Sequence, residues 1–515
     1  MLIDANFKNT SIPHADICII GTGISACCLA SELLKTETQF IMIEAGPLNG
    51  NSSTIIERES VGRDFGLNST TSIEVGGTSS LWHGVLAPLD EIDFKKRSWV
   101  PNSGWPINYE DLKIFYEKAG RILRLENFNF YESEKLPPKF QNQLGCLKFN
   151  HKFLKNKIFQ RPMPVVRFKK IISDKLKQSR NSHILFNACA LELVQNNSRK
   201  VETLLCGSEK GEKFNIRAHK YIVCAGALET PRLLMNSSIK NNNLGKYLMD
   251  HPMGSLRQME FRKKQKTHIY TYSEYSSNLM IKSGLTFQEQ TQKQKKLLNH
   301  CFYVKNSYAK GIDENAEKVL LSLLTFRDGG LSIKDLWNVL KNPRIFFFIL
   351  LYKITTKTRY ADLFFVTEQI PNPGSCISLS KKLDRFGYPI SKINWQLKKD
   401  DILSINRAVD IIKCYSFDGK YVEFVKETCG FDWEHVFTSA AHHLGTARMS
   451  VSPEDGVVDK NLKVFNVNNL FICDGSVFPT SGNANSSLTI AALACRLADH
   501  LLNSKELNVT SARLE

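Results

Sequence analysis

The feature that most constrains this chain lies near its N-terminus, where the apolar run Asp16-Ile17-Cys18-Ile19-Ile20 enters Gly21-Thr22-Gly23-Ile24-Ser25-Ala26. This pattern predicts a buried strand, a glycine turn and a helix whose first-turn N–H groups and dipole can hold a pyrophosphate. Gly21 permits the tight turn, Gly23 lets backbone approach phosphate, and the small Ala26 lets the helix pack near its strand. The helix is predicted over roughly 24–34, followed by a second strand at Phe40-Ile41-Met42-Ile43. That strand ends in Glu44, and an acid about 20 positions past the glycines is where a ribose hydroxyl is gripped. Strand, turn, helix, strand and acid in this order mark a dinucleotide-binding unit. Its candidate contacts are Gly21, Thr22, Gly23, Ser25, Ala26 and Glu44.

A chain of 515 residues has room for two or three domains, and 42% hydrophobic with 23% charged residues excludes a disordered chain. Thirteen cysteines form no CxxC pair and no cysteine–histidine spacing of zinc type. They read as small buried hydrophobes of a reducing compartment, and no metal is expected. Met1 to Asn6 lacks a basic stretch followed by a long apolar one, so no secretory signal is read and a cytoplasmic location is expected.

The formal charge is +17, from 68 Lys plus Arg against 51 Asp plus Glu. Much of it sits in polar runs such as Arg262-Lys263-Lys264-Gln265-Lys266, which read as solvated loops; no aromatic-interleaved basic motif is present, so no nucleic acid is expected. The segment 337–360 joins Phe346, Phe347 and Phe348 to Lys341, Arg344, Lys353, Lys357 and Arg359. Its apolar run is well short of the roughly 20 residues that span a bilayer, leaving two readings: peripheral contact with an anionic inner membrane face, or a helix buried beside the substrate domain.

Along the chain, 1–15 read as an N-terminal extension and 504–515 as a flexible tail. Residues 16–125, 183–254 and 441–503 are assigned to a discontinuous nucleotide-binding domain. Residues 126–182 and 255–440 are assigned to a substrate-binding domain, with a helical insertion near 333–358. Asn108 and Asp111 form a capping-box pattern ahead of apolar residues at helical spacing. Tyr221-Ile222-Val223-Cys224 enters Ala225-Gly226-Ala227, and Leu470-Phe471-Ile472-Cys473 enters Asp474-Gly475, both strands that return the chain to the nucleotide-binding sheet.

Six stretches in order, Gly21-Thr22-Gly23 with Glu44, Gly76-Gly77-Thr78-Ser79, Cys224 to Ala227, Asn243-Leu244-Gly245 with Asp250-His251-Pro252, His442 to Thr446, and Asp474 to Asn485, carry a resemblance over about residues 16–503. The chain resembles the glucose–methanol–choline (GMC) oxidoreductases, flavoproteins that oxidise alcohols. The resemblance implies an α/β fold: a Rossmann-like, glutathione-reductase-type, three-layer FAD-binding domain with an α+β substrate-binding domain on an antiparallel sheet. It implies FAD as cofactor and adds Gly76, Gly77, Thr78, Ser79, His83, Gly84, Ala190, Ala225, Asp474 and Gly475 to the cofactor contacts, with Asp474 near the ribityl or phosphate part. In the family pattern HxxGT the base is His442, and the second active-site position is Asn485, whose amide can orient an alcohol oxygen but cannot take its proton. If the segment is extended, only one of His442 and His443 can face the flavin. Helix capping is the plainer reading of Asn483 and Asn485.

Several relatives attach FAD through a histidine after the double glycine; Leu81 stands at the matching position, with His83 two residues on, so non-covalent FAD is expected. The implied reaction is oxidation of a CH–OH group of a sugar, polyol, or glycan- or lipid-linked alcohol by hydride transfer to flavin N5, with His442 as base. The stretch Gly76 to Asp93, then Gly104-Trp105-Pro106 and Glu368 to Pro373, looks most like the pyranose oxidase and sugar dehydrogenase branch. No cysteine quartet and no CxxCH is present, so electrons are expected to leave to oxygen, a quinone or a separate carrier. Two alternatives stay open: a non-redox lyase on the same scaffold, and a basic polyanion-binding protein with relic FAD.

Overall fold

Asp16 to Ile20 forms the strand Ala15–Ile20, and the helix that follows the glycine turn runs Ile24–Leu33, with Ala26 to Ala30 fully buried. The computed structural model describes residues 1–6, 14–49, 56–63, 66, 70–177, 179, 181–307, 357–424 and 437–503. The glycine-turn strand lies inside a parallel six-stranded sheet ordered Leu2–Asp4, Ser182–Phe186, Phe40–Ile43, Ala15–Ile20, Ala218–Val223 and Leu470–Ile472. These strands read as nearly continuous apolar runs because helices and a second sheet cover both faces. The register decides what meets at the sheet's edge. Ile20 pairs with both Ile43 and Val223, and Val223 with Ile472. Gly21, Glu44, Cys224 and Cys473 therefore leave the sheet side by side. A three-stranded antiparallel sheet, Ala188–Gln195, Val201–Ser208 and Lys213–Ile216, supplies a further layer.

The second unit is an eight-stranded antiparallel sheet. Its path runs Ser273–Ser276, Leu279–Phe287, His300–Ser307, Thr358–Thr367, Pro252–Gln265 and Val422–Phe424, with Leu154–Pro162 and Thr438–Ser439 paired off it. The fold is thus α/β with a sheet-based substrate unit, as read from the sequence. Asn108 and Asp111 form a reciprocal capping box on the helix Tyr109–Ile122.

Three boundaries shift. Leu2–Asp4 is not an extension but pairs in parallel with Ile184 to Phe186; a three-residue edge strand is too short to show a period. Residues 168–182 leave the substrate unit: helix Phe168–Lys177 buries Phe168, Ile172 and Leu176 in the core it shares with helix Ile24–Leu33, and Ser182–Phe186 joins the parallel sheet. The hairpin Cys376–Leu383 and Pro389–Asn394, with the parallel strand Arg58–Ser60, packs on helix Gly226–Asn236. Arg232 clamps that contact, bonding Asp384 at 2.5 Å and the Pro389 carbonyl at 2.9 Å. Residues 333–356 of the predicted helical insertion and the tail 504–515 lie outside the described residues. Arg359, counted among the basic residues of that segment, pairs instead with Glu260 across the sheet, at 2.8 Å. Among the described residues no helix is long and apolar enough to cross a membrane. The twelve described cysteines are all free, most of them buried as expected; Cys414 is exposed.

Candidate active site

The converging strand ends open on a cavity of about 840 Å³ that runs from the glycine turn to the antiparallel sheet. Gly21 has φ +106°, and a Cβ there would sit 2.5 Å from the Cys224 carbonyl oxygen, so the turn requires glycine on both counts. At Gly23 and Gly226 a Cβ would meet nothing within 4 Å. There the bare backbone faces open space. The Thr22 hydroxyl donates to the Glu44 carboxylate and accepts from the Gly76 amide at 3.0 Å, which ties the turn, the acid and the double-glycine segment together. Burial pushes the Glu44 carboxyl up to about 7, against bonds from Thr22 and Gly46 that stabilise its charge. Asp474 joins the two returning strands' turns, accepting from the Gly226 amide at 2.9 Å, the Thr230 hydroxyl at 2.6 Å and the Ser476 amide at 2.8 Å. We expect Gly21→Ala to weaken retention of a dinucleotide in this cavity, read as a lower cofactor-to-protein absorbance ratio in the purified protein; full loading would refute the need for glycine at this turn.

Of the sequence-derived candidates, Gly21, Thr22, Gly23, Ser25, Glu44, Gly77, Thr78, Ser79, His83, Gly84, Ala190, Ala225, Asp474, Gly475, His442 and Asn485 all line this cavity. Two do not. Ala26 is fully buried in the helix core, and Gly76 acts through the amide it gives Thr22. His442 and His443 both line the cavity, and Ala441, just before them, has φ +61°.

His442 is held at two points. Its amide donates to Asp250 Oδ1 at 3.0 Å, the same oxygen that takes the His251 amide at 2.6 Å. Its Nδ1 lies 3.0 Å from Nδ1 of His251, whose Nε2 lies 3.1 Å from the Ser481 carbonyl. A carbonyl only accepts, so Nε2 of His251 carries the proton there. Burial holds His251 neutral, down to about 4, which leaves its Nδ1 as an acceptor. Nδ1 of His442 must then be the donor, and its Nε2 keeps a lone pair. Burial, then His251, lowers the His442 pKa as well, so the imidazole is neutral at pH 7.

Asn485 precedes the helix Ser487–Asn503 and faces the cavity. Asn483 departs from the capping expectation. It is fully buried, donates to Asn299 Oδ1 at 2.7 Å and Thr286 Oγ1 at 3.1 Å, and accepts from Lys157 at 2.7 Å. Lys157 in turn pairs with Asp90 at 2.9 Å, and Asn299 reaches Asp90, Asp93 and, through its amide, Glu368. Gly482, at φ +62°, packs so closely that a Cβ would lie 2.7 Å from Asp93. This network grips the turn that delivers Asn485. No local pattern marks it, because its members come from six separate stretches. His251 was visible only as part of a family motif, and nothing local indicates that it faces His442.

Family sequence models described as GMC oxidoreductase match residues 169–253 and 371–494, the stretches that hold the Ala225 turn and the His442 and Asn485 segments. The chain belongs to the GMC oxidoreductase family. The 2-methyl-1,2-propanediol dehydrogenase of Mycolicibacterium austroafricanum is 22% identical over 563 residues, covering 96% of each chain. The fructose dehydrogenase large subunit of Gluconobacter japonicus is 33% identical over 147 residues, 28% of this chain and 25% of that one. Among solved structures, pyridoxine 4-oxidase from Mesorbium loti superposes with TM-score 0.60 at 16% identity, covering 95% of this chain and 99% of that one. Formate oxidase of Aspergillus oryzae RIB40 does so with TM-score 0.57 at 17% identity, covering 97% and 100%.

This GMC oxidoreductase is accordingly an FAD-dependent enzyme acting on CH–OH donors. Its residues fit that cofactor: the open backbone at Gly23 and Gly226, the buried Glu44 and a cavity spanning both domains offer room and polar anchors at one sheet edge. Among the described residues no cluster of three potential metal ligands occurs.

Proposed function

We propose that this GMC oxidoreductase oxidises a hydroxyl of a sugar, polyol, or glycan- or lipid-linked alcohol, with His442 as the base and Asn485 as the group that orients the alcohol oxygen. The observation that carries the assignment is the chain Ser481 carbonyl, His251, His442, which supports an unprotonated Nε2 on a cavity-lining imidazole. Bound FAD supplies the hydride acceptor. As the C–H bond breaks, the hydroxyl proton must leave, and Nε2 of His442 takes it. The Asn485 amide donates to the same oxygen and resists its drift toward other donors. The turn network and the antiparallel sheet keep both groups in place.

A polyol or sugar donor is supported by the diol and fructose dehydrogenases named above. The acceptor is oxygen, a quinone or a separate carrier. Anaerobic mixing with an alcohol and sugar panel tests the reading: one donor class bleaches the flavin, whereas turnover without bleaching would favour a lyase. The flavin is held without a covalent bond. Leu81 lines the cavity and is 48% exposed, and leucine has no nucleophile. Acid precipitation is expected to leave a colourless pellet and a yellow supernatant. A yellow pellet would implicate His83, which also lines the cavity.

A further inference from the structure

Where the antiparallel sheet closes the cavity, its lining gains two lysines. Lys282, on Leu279–Phe287, places its ammonium 4.6 Å from the ring centre of Tyr303 and 5.2 Å from that of Tyr272. Lys305, on His300–Ser307, lines the same end. The titratable groups that act on Lys282 are the Cys301 thiol and Lys305; neither is a carboxylate. Arg161 adds another cation on the paired strand Leu154–Pro162, 5.8 Å from the Tyr272 ring centre. Of the acids in the sheet register, Glu274 sits opposite Met280, two residues from Lys282, and Asp362 opposite Lys305; neither is among the groups that act on Lys282. The contrast with Lys157 is informative: on the neighbouring strand that lysine enters the interior with Asp90 as its counter-ion, at 2.9 Å.

An ammonium taken partly out of water costs free energy that aromatic faces offset only in part. Burial accordingly pushes Lys282 down to about 8, so it is largely charged at pH 7, and no carboxylate among the described residues acts on it. Such a charge is retained where a ligand completes the pair. The register also sets the reach. Met253, two residues after His251, pairs with Val366, while Tyr303 pairs with Phe364, two residues further along that strand. Two residues of strand span about 7 Å. An anion at Lys282 would thus lie several bonds from a carbinol carbon beside His442.

We propose that Lys282 determines donor specificity by selecting alcohols that carry an anionic group, a carboxylate or a phosphate, remote from the hydroxyl being oxidised. The proposal rests on the CH–OH oxidation at His442 set out above and narrows its substrate class. Lys305 strengthens the field, and Tyr272 and Tyr303 hold the ammonium in line when no donor is bound.

The test uses the FAD-loaded protein and matched donors: 4-(hydroxymethyl)benzoate against 4-methylbenzyl alcohol, and glucose 6-phosphate against glucose. Anaerobic flavin bleaching should favour the charged member of at least one pair by about tenfold or more in kcat/KM, and which pair does so separates carboxylate from phosphate. In Lys282→Gln the ratio should fall to about one, and in Lys282→Arg it should survive. A preference for the neutral members, or a preference unchanged in Lys282→Gln, overturns the proposal. Benzoate and inorganic phosphate, titrated against the flavin absorption band, give a readout independent of turnover. A tenfold weaker dissociation constant for either anion in Lys282→Gln supports the site, and equal constants for both sink it. Failure of every alcohol to bleach the flavin would instead count against the His442 reading, while these titrations would still decide the fate of Lys282.

Discussion

Replacing His442 with alanine is expected to slow flavin reduction by the preferred alcohol about 10³-fold, inside the 10²- to 10⁴-fold range that a positioned base contributes. His443→Ala should cost far less, because the hydrogen-bond chain that sets a base tautomer runs through His442 alone. His251→Leu removes the acceptor for Nδ1 of His442 and should lower kcat more than it changes KM, since the base can then present either nitrogen. The pH dependence follows from the direction of the shift. Burial, then His251, pushes His442 from 6.5 down to about 3, so it is unprotonated through neutrality, and flavin reduction should hold through mildly acidic pH and fall off only as the pH approaches that value. Stopped-flow absorbance at the flavin band checks all four statements. Bleaching that survives His442→Ala would remove the base assignment.

Arg97→Leu is expected to destabilise the FAD-bound protein by about 3–5 kcal/mol. The Arg97 guanidinium forks onto both oxygens of Glu368, at 2.5 and 2.8 Å, and the two side chains are 2% and 0% exposed. Removing the cation strands a carboxylate that also accepts from the Asn299 amide at 2.9 Å. The double variant Arg97→Leu with Glu368→Leu should lose less than the single one, because no unpaired charge is left inside. Asp93 adds to the case: burial, then Asp90 and Glu368, push its carboxyl up to about 7, so the site has no capacity for another negative charge. Thermal unfolding followed by flavin fluorescence measures the difference. Equal melting temperatures for wild type and Arg97→Leu would show that the pair carries no net stability. Because Asn299 also bonds Asn483, the single variant should loosen the turn before Asn485 and lower kcat as well.

The nucleotide half was legible because its information is local. A short apolar run, two glycines, an alanine and an acid at set spacing each state a short-range requirement, and all are met in the helix Ile24–Leu33, the strand Phe40–Ile43 and the bond from Thr22 to Glu44. Periodicity likewise placed the helix Tyr109–Ile122, where apolar spacing and a capping box agree. Domain edges were misjudged where an element was too short or where packing partners lay far off, as with Leu2–Asp4 and Phe168–Lys177.

By itself the amino-acid order determined that a dinucleotide turn exists, which acid follows it, and that histidine and asparagine stand at the two C-terminal positions. Those are consequences of steric and hydrogen-bonding rules that act within a few residues. Only the tertiary structure decided that His251 points Nδ1 at His442, that Asn483 is a buried anchor rather than a cap, and that Lys282 enters the cavity with no carboxylate acting on it among the described residues while Lys157 has one. The physical reason is that a side chain's protonation state and its partner depend on which groups strand register and packing bring within about 3 Å, and those groups are between one and more than three hundred residues away along the chain.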